Sequence, residues 1–73
     1  MYYTRLIVEC NPEFTEILIA EVAETGFDTF QETTNGFEAF AEQDHYDRNL
    51  LEEIRQRYNH LDLLKFEFSR VEK

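Results

Sequence analysis

The segment that decides the fold runs from Asn11 to Glu42 and reads NPEFTEILIAEVAETGFDTFQETTNGFEAFAE. Asn11 is a preferred residue immediately before a helix, and Pro12 suits the first helical position. Gly26 supplies the left-handed backbone in which helices commonly end. Together these signals predict a helix from Pro12 to Thr25.

The predicted helix has an apolar half and an acidic half when its residues are spaced at about 100°. The apolar half consists of Phe14, Leu18, Ile19, Val22 and Ala23. The acidic half consists of Glu13, Glu16, Glu21 and Glu24, with Ile17 and Ala20 among them. We expect Ile17 to be an exposed apolar side chain surrounded by carboxylates, an arrangement suited to a basic protein partner. An ordinary solvated helix face is the alternative.

Two strands are predicted after the helix, at Phe27–Thr33 and Phe37–Glu42. Between them Asn35 and Gly36 form the dipeptide typical of a type I′ hairpin turn, whose two central residues both have positive φ. A turn centred there places Thr34 opposite the first residue of the third strand. The hairpin then has one face for the core and one for solvent.

The outer parts of the chain complete an alternating order of elements. Aromatic and β-branched residues predict a strand at Tyr2–Glu9, and helical spacing of apolar residues predicts a second helix at Tyr46–Tyr58. Clean alternation predicts the last strand at Leu63–Val71. The β-α-β-β-α-β order indicates an α+β ferredoxin-like sandwich, in which a four-stranded antiparallel sheet carries two helices on one face. We expect residues 1–73 to form this one domain.

The sheet face without helices is a second candidate interaction surface. On it the alternation places Tyr3, Ile7 and Phe40, surrounded by Arg5, Glu38, Lys65 and Glu67. Contiguous exposed aromatic side chains often mark an interaction surface. Self-association and burial beneath another segment remain open as alternatives.

Composition excludes several classes of partner. The 73 residues carry a net charge of −9, divided as −10 over residues 1–47 and +1 over residues 48–73. Nucleic acids and anionic membranes require clustered basic residues, so neither is expected to bind directly. A single cysteine, Cys10, precludes an internal disulfide and fits a reducing compartment, so we expect a cytoplasmic protein.

Residue types needed for catalysis or cofactor binding are sparse. The chain has two glycines, both assigned to turns, so no glycine-rich phosphate loop is predicted. Asp44, His45 and Asp47 do not match the spacing of zinc ligands and are interpreted as a polar loop that caps the second helix. We therefore expect no catalytic, cofactor-binding or metal-binding residues.

A set of fold-shaping residues carries a resemblance to a known family. The set comprises Gly26-Phe27, Phe30, Glu32-Thr33, Gly36-Phe37, Ala39-Phe40 and Tyr46-Asp47. In these residues the chain resembles, over nearly its whole length, the amino-terminal domain of ribosomal protein L-eleven methyltransferases of the Bacteroidetes type.

The resemblance implies a non-catalytic domain that recognises a basic ribosomal protein substrate. In that family a separate Rossmann-type domain binds S-adenosylmethionine and transfers the methyl group. The resemblance thus implies that this chain is either a fragment, whose catalytic domain would act in cis beyond Lys73, or a stand-alone relative without its catalyst. S-adenosylmethionine is expected only in the catalytic domain. The residues above predict the partner-binding set Ile17, Glu13, Glu16, Glu21, Glu24, Tyr3, Ile7 and Phe40. A regulatory ferredoxin-like module that binds a small metabolite is the alternative.

Overall fold

A computed structural model describes residues 1–61 and 64–72 of the chain. Its elements are β1 (Tyr2–Glu9), a 3-10 turn (Pro12–Phe14) leading into α1 (Thr15–Ala23), β2 (Thr29–Thr33), β3 (Gly36–Glu42), α2 (Arg48–Arg57) and β4 (Lys65–Glu72). The predicted order of strands and helices is therefore confirmed. The predicted start of the last strand, Leu63, lies outside the described residues.

The four strands form one sheet in the order β2-β3-β1-β4. Every neighbouring pair is antiparallel, so β1 and β2 run in the same direction with β3 between them. The helix α1 thus connects two parallel strands, and α2 connects the parallel strands β3 and β4. This is the predicted ferredoxin-like α+β topology.

Both helices pack on one face of the sheet. The core unites Leu18 and Val22 of α1 with Leu51 and Ile54 of α2, and every one of them is buried. From the sheet it includes Leu6, Val8, Phe37, Ala39 and Ala41. Alternate residues of β1 face this core, because successive side chains of a strand point to opposite faces. The predicted inward positions of Leu6 and Val8 are confirmed.

The hairpin between β2 and β3 differs from the prediction in its turn and pairing. Thr33 pairs with Gly36, so the turn residues are Thr34 and Asn35 rather than Asn35 and Gly36. Neither turn residue has a positive φ, so the turn is not of type I′. Gly36 instead serves the contact between β3 and β1, since a Cβ there would overlap the Val8 carbonyl oxygen. The observed pairing of β2 with β3 differs from the predicted pairing by two residues. Because strand side chains alternate with a period of two, each side chain still points to the predicted face of the sheet.

The first helix is shorter than predicted and begins in a 3-10 turn. The side chain of Asn11 makes no capping hydrogen bond. Ala23, predicted on the apolar half, is exposed, whereas Thr25 is buried and its hydroxyl donates to the Val22 carbonyl at 2.7 Å. The chain leaves the helix after Ala23, so Thr25 takes the inward position there. Within the described ranges, neither helix has the length and apolar composition needed to cross a bilayer.

Candidate functional site

The outward side of α1, together with the 3-10 turn before it and the residue after it, forms a surface that we call the acidic helix face. It comprises Glu13, Glu16, Ile17, Ala20 and Glu24. Every one of these residues is exposed, and Ile17 exposes 49% of its surface. Leu18 and Val22 are fully buried and determine the rotation of the helix, which turns Ile17 and Ala20 outward. The predicted exposure of Ile17 among carboxylates is confirmed.

The acidic helix face holds carboxylates without compensating cations. The segment from Pro12 to Glu24 contains no Lys or Arg. Among the described residues, the ion pairs join Arg55 to Glu52 and Arg57 to Glu21, so neither involves Glu13, Glu16 or Glu24. The face therefore carries an uncompensated negative potential, which attracts a cationic partner.

Glu21 lies apart from the other carboxylates of α1. Its Oε2 is 2.5 Å from Nη1 of Arg57 on α2, an ion pair in which the Glu21 side chain is largely buried. The packing of α1 against α2 thus gives Arg57 a carboxylate partner on the other helix. Within the predicted partner-binding set, Glu21 therefore differs from the other carboxylates of this segment, because it pairs with α2.

Tyr58 lies at the same junction between the helices. Burial of its hydroxyl raises the pKa of Tyr58 above the ordinary value of 10.0, and a hydrogen bond to Glu21 with the negative charge of that carboxylate adds to the rise. The positive charge of Arg57 acts in the opposite direction. These three side chains form a polar link between α1 and α2, so their role in the structure is to join the helices.

The sheet face without helices, which we call the open sheet face, carries Tyr3, Ile7 and Phe40, as predicted, and each is partly buried. The strand pairing places Arg5 directly opposite Phe40 on one side and Ser69 on the other, at the centre of the face. Arg5 donates from Nη2 to the Ser69 hydroxyl at 3.5 Å, while its buried Nε has no hydrogen-bond partner among residues 1–61 and 64–72. The cation Arg5 therefore lies among the three apolar side chains, directly opposite Phe40.

Charge distinguishes the two candidate surfaces. The open sheet face mixes the cations Arg5 and Lys65 with carboxylates, among them Glu38 and Glu67, which lie opposite Ile7 on its two sides. The acidic helix face carries only negative charge around its apolar residue. The latter is the more selective surface for a basic partner, since its potential has one sign.

A third feature, not predicted from the sequence, is a group of arginine and aromatic side chains between α2 and β4. Arg48 lies over the ring of Phe68, with 5.4 Å between Cζ and the ring centroid, and Arg70 lies over Tyr2 at 4.0 Å. The sequence signal available was the concentration of bases after residue 47, where six of the seven basic residues lie. A second signal was the alternation of β4, which places Phe66, Phe68 and Arg70 on one face of the strand.

Metal-binding and nucleophilic groups are sparse in the described part of the chain. Residues 1–61 and 64–72 bring together no set of three or more His, Cys, Asp and Glu side chains that could hold a metal ion. Cys10 is buried, with Sγ 3.7 Å from the Thr15 hydroxyl oxygen. A cavity of about 360 Å³ beside it is lined by Glu9, Cys10, Asn11, Pro12, Thr34 and Asn35. Its lining includes no Lys, Arg or His, and Glu9 is its one carboxylate.

Comparison of the chain with models of protein families, with curated proteins and with solved structures returned no match.

Proposed function

We propose that this domain is a non-catalytic recognition module that docks a basic protein against the acidic helix face. The observation that carries the proposal is the 49% exposure of Ile17 among Glu13, Glu16 and Glu24. An apolar anchor contributes binding free energy when it enters a pocket on the partner, and surrounding charges accelerate encounter and select the partner. No reactive group is required for this role.

The identity of the partner rests on the resemblance to the ribosomal protein methyltransferases. Under it the docked protein is a basic ribosomal protein, and the methyl donor S-adenosylmethionine belongs to a catalytic domain in cis. Ribosomal proteins are strongly basic because they contact RNA phosphates, so they match a surface of net negative charge. The proposal places the complex in the cytoplasm, where the single thiol of Cys10 remains reduced.

The test is a titration of the ¹⁵N-labelled domain with the purified L-eleven type ribosomal protein, observed by NMR. We expect amide shifts concentrated between Glu13 and Glu24. We also expect the dissociation constant to rise when ionic strength increases from 0.1 M to 1 M, because the Debye length falls from about 10 Å to about 3 Å. Shifts confined to the open sheet face would contradict the choice of surface.

A charge reversal on the acidic helix face sharpens the test. Glu16→Lys reverses one uncompensated charge and should weaken binding, whereas Glu67→Lys makes the same charge change at an exposed position of β4 on the open sheet face and serves as the matched control. Equal weakening by both variants would mean that only the overall charge matters, and the local surface would be refuted.

Ile17→Ala tests the apolar anchor. The substitution removes three carbon groups, each worth about 0.8 kcal/mol when buried. Only the 49% of Ile17 that is exposed is available to the partner, so the substitution removes about half of that free energy from binding. The expected loss is therefore about 1.2 kcal/mol, or roughly an eightfold rise in the dissociation constant. An unchanged affinity would remove Ile17 from the interface.

A further inference from the structure

A shallow groove of about 270 Å³ lies between the start of α2 and the end of β4. We call it the basic-aromatic groove and define it by Tyr2, Tyr46, Arg48, Phe68 and Arg70, which line it. It shares no residue with the acidic helix face. An inference about it is therefore independent of the proposed function.

The groove exists because the helix layer does not cover the end of the sheet. Phe68 pairs with Leu6 and Arg70 pairs with Thr4, so both β4 side chains point to the face that carries the helices. Leu6 is fully buried, yet Phe68 beside it remains 42% exposed. A large aromatic ring is thus left in contact with solvent at the margin of the core.

Aromatic rings hold the two arginines in place. The Arg48 guanidinium lies over Phe68, and Tyr46 stacks on the same Phe68 with 6.1 Å between ring centroids. Tyr46 in turn packs at 4.9 Å against Phe27, which is buried in the core. The Arg70 guanidinium lies 4.0 Å from the Tyr2 ring centroid. The stacking orders side chains that would otherwise lose rotamer entropy on binding a ligand.

Neither stacked arginine has a carboxylate partner in the described part of the chain, where the ion pairs involve Arg55 and Arg57. Stacking uses the flat face of a guanidinium and leaves the N–H donors at its edge available. Those donors form a fork that matches the oxygens of carboxylates and phosphates. The groove also contains one acid, Asp44, which accepts a hydrogen bond from the Tyr2 hydroxyl at 3.3 Å.

We propose that the basic-aromatic groove binds a phosphate monoester, with Arg48 and Arg70 donating hydrogen bonds to its oxygens. A phosphate monoester carries a charge near −2 at neutral pH and three acceptor oxygens, so it matches two cations where a carboxylate matches one. A protein of net charge −9 repels anions at long range, but two guanidiniums against the single carboxylate of Asp44 give this groove a local charge of +1. Phe68 and Tyr46 supply apolar surface for the group that bears the phosphate.

The experiment is an NMR titration of the whole 73-residue chain at constant ionic strength, maintained with sodium chloride. Three probes distinguish the sources of the phosphate: inorganic phosphate, a nucleoside monophosphate and a phosphoserine-containing peptide. We expect saturable shifts of the Arg48 and Arg70 side-chain Nε–H signals with at least one probe. The probe that binds most tightly identifies what carries the phosphate.

Variants test the two arginines separately. Arg48→Gln and Arg70→Gln should each weaken binding about tenfold or more, because each removes charge-assisted hydrogen bonds. Lys65→Gln makes the same charge change at an exposed position of β4 on the open sheet face and should leave affinity within about twofold. If Arg48→Gln fails to fold, Arg48→Lys retains the charge without the planar fork and should still weaken binding. Linear shifts without saturation for all three probes, or equal effects of Lys65→Gln and the arginine variants, would overturn the proposal.

Discussion

Replacing Gly36 with alanine tests which physical effect requires a glycine at this position. Gly36 is a strand residue whose φ is not positive. The glycine with a positive φ is Gly26, at +121°. An argument from backbone freedom alone predicts that Gly36→Ala stabilises the protein by about 0.4–1 kcal/mol, because alanine restricts the unfolded chain. The packing of β3 against β1 predicts the opposite sign.

The magnitude follows from the space around Gly36. An added Cβ would overlap the Val8 carbonyl oxygen and lie 3.0 Å from the Val8 carbonyl carbon and 3.1 Å from the Glu9 Cα. Comfortable carbon contacts are about 3.5–4.0 Å, so the two central strands must separate. Overpacking of this kind costs about 1–3 kcal/mol, and each lengthened backbone hydrogen bond costs about 1 kcal/mol more. We expect a loss of about 2–4 kcal/mol from a total of roughly 4–11 kcal/mol for 73 residues.

The assay is urea unfolding at 25 °C followed by circular dichroism, with thermal unfolding as a second measurement. A loss of 3 kcal/mol should lower the melting temperature by roughly 12–24 °C. Asn35→Ala is the control: Asn35 is exposed and its φ is not positive, so we expect a change within about 0.5 kcal/mol. A Gly36→Ala protein as stable as the parent, or more stable, would refute the close approach of β3 to β1.

Two further predictions concern α2. Asp47 accepts hydrogen bonds from the backbone N–H groups of Asn49 at 2.9 Å and Leu50 at 3.2 Å, so Asp47→Ala should cost about 1 kcal/mol in urea unfolding, and Asp47→Asn should recover most of it. An equal loss in both variants would contradict the capping role. Because the pKa of Tyr58 is raised in the folded state by burial and then by Glu21, its contribution to stability is complete below pH 10 and falls as the pH rises through the folded-state pKa. The difference in unfolding free energy between the parent and Tyr58→Phe should therefore change only above pH 10, and a change at neutral pH would exclude Tyr58 as its source.

Local patterns in the chain predicted most of the architecture. The alternation in β1 identified Leu6 and Val8 as inward residues, and the helical spacing in α1 turned Leu18 inward and Ile17 outward. These outcomes depend on the periods of strand and helix, which relate residues close together along the chain, and on the hydrophobic effect, which turns the apolar side of each element inward. The acidic helix face could be derived for the same reason, since one continuous segment, residues 13–24, supplies all of it.

Contacts between distant segments were beyond the reach of local patterns. Glu21 was expected to face solvent with its neighbours, but its side chain reaches Arg57, 36 positions away. Tyr2 and Arg70 come from opposite ends of the chain, and only the pairing of β1 with β4 brings them together. The spacing of residues along the sequence does not indicate which distant residues come into contact.

By itself the sequence determined the succession of strands and helices, the inward and outward sides of each, and the concentration of negative charge before residue 48. Only the tertiary structure decided why position 36 is glycine, which carboxylate of α1 joins α2, and where arginines meet aromatic rings. The physical reason is the range of the forces involved. Periodicity acts between neighbours along the chain, whereas steric overlap and ion pairing depend on distances that exist only after the sheet and both helices have packed.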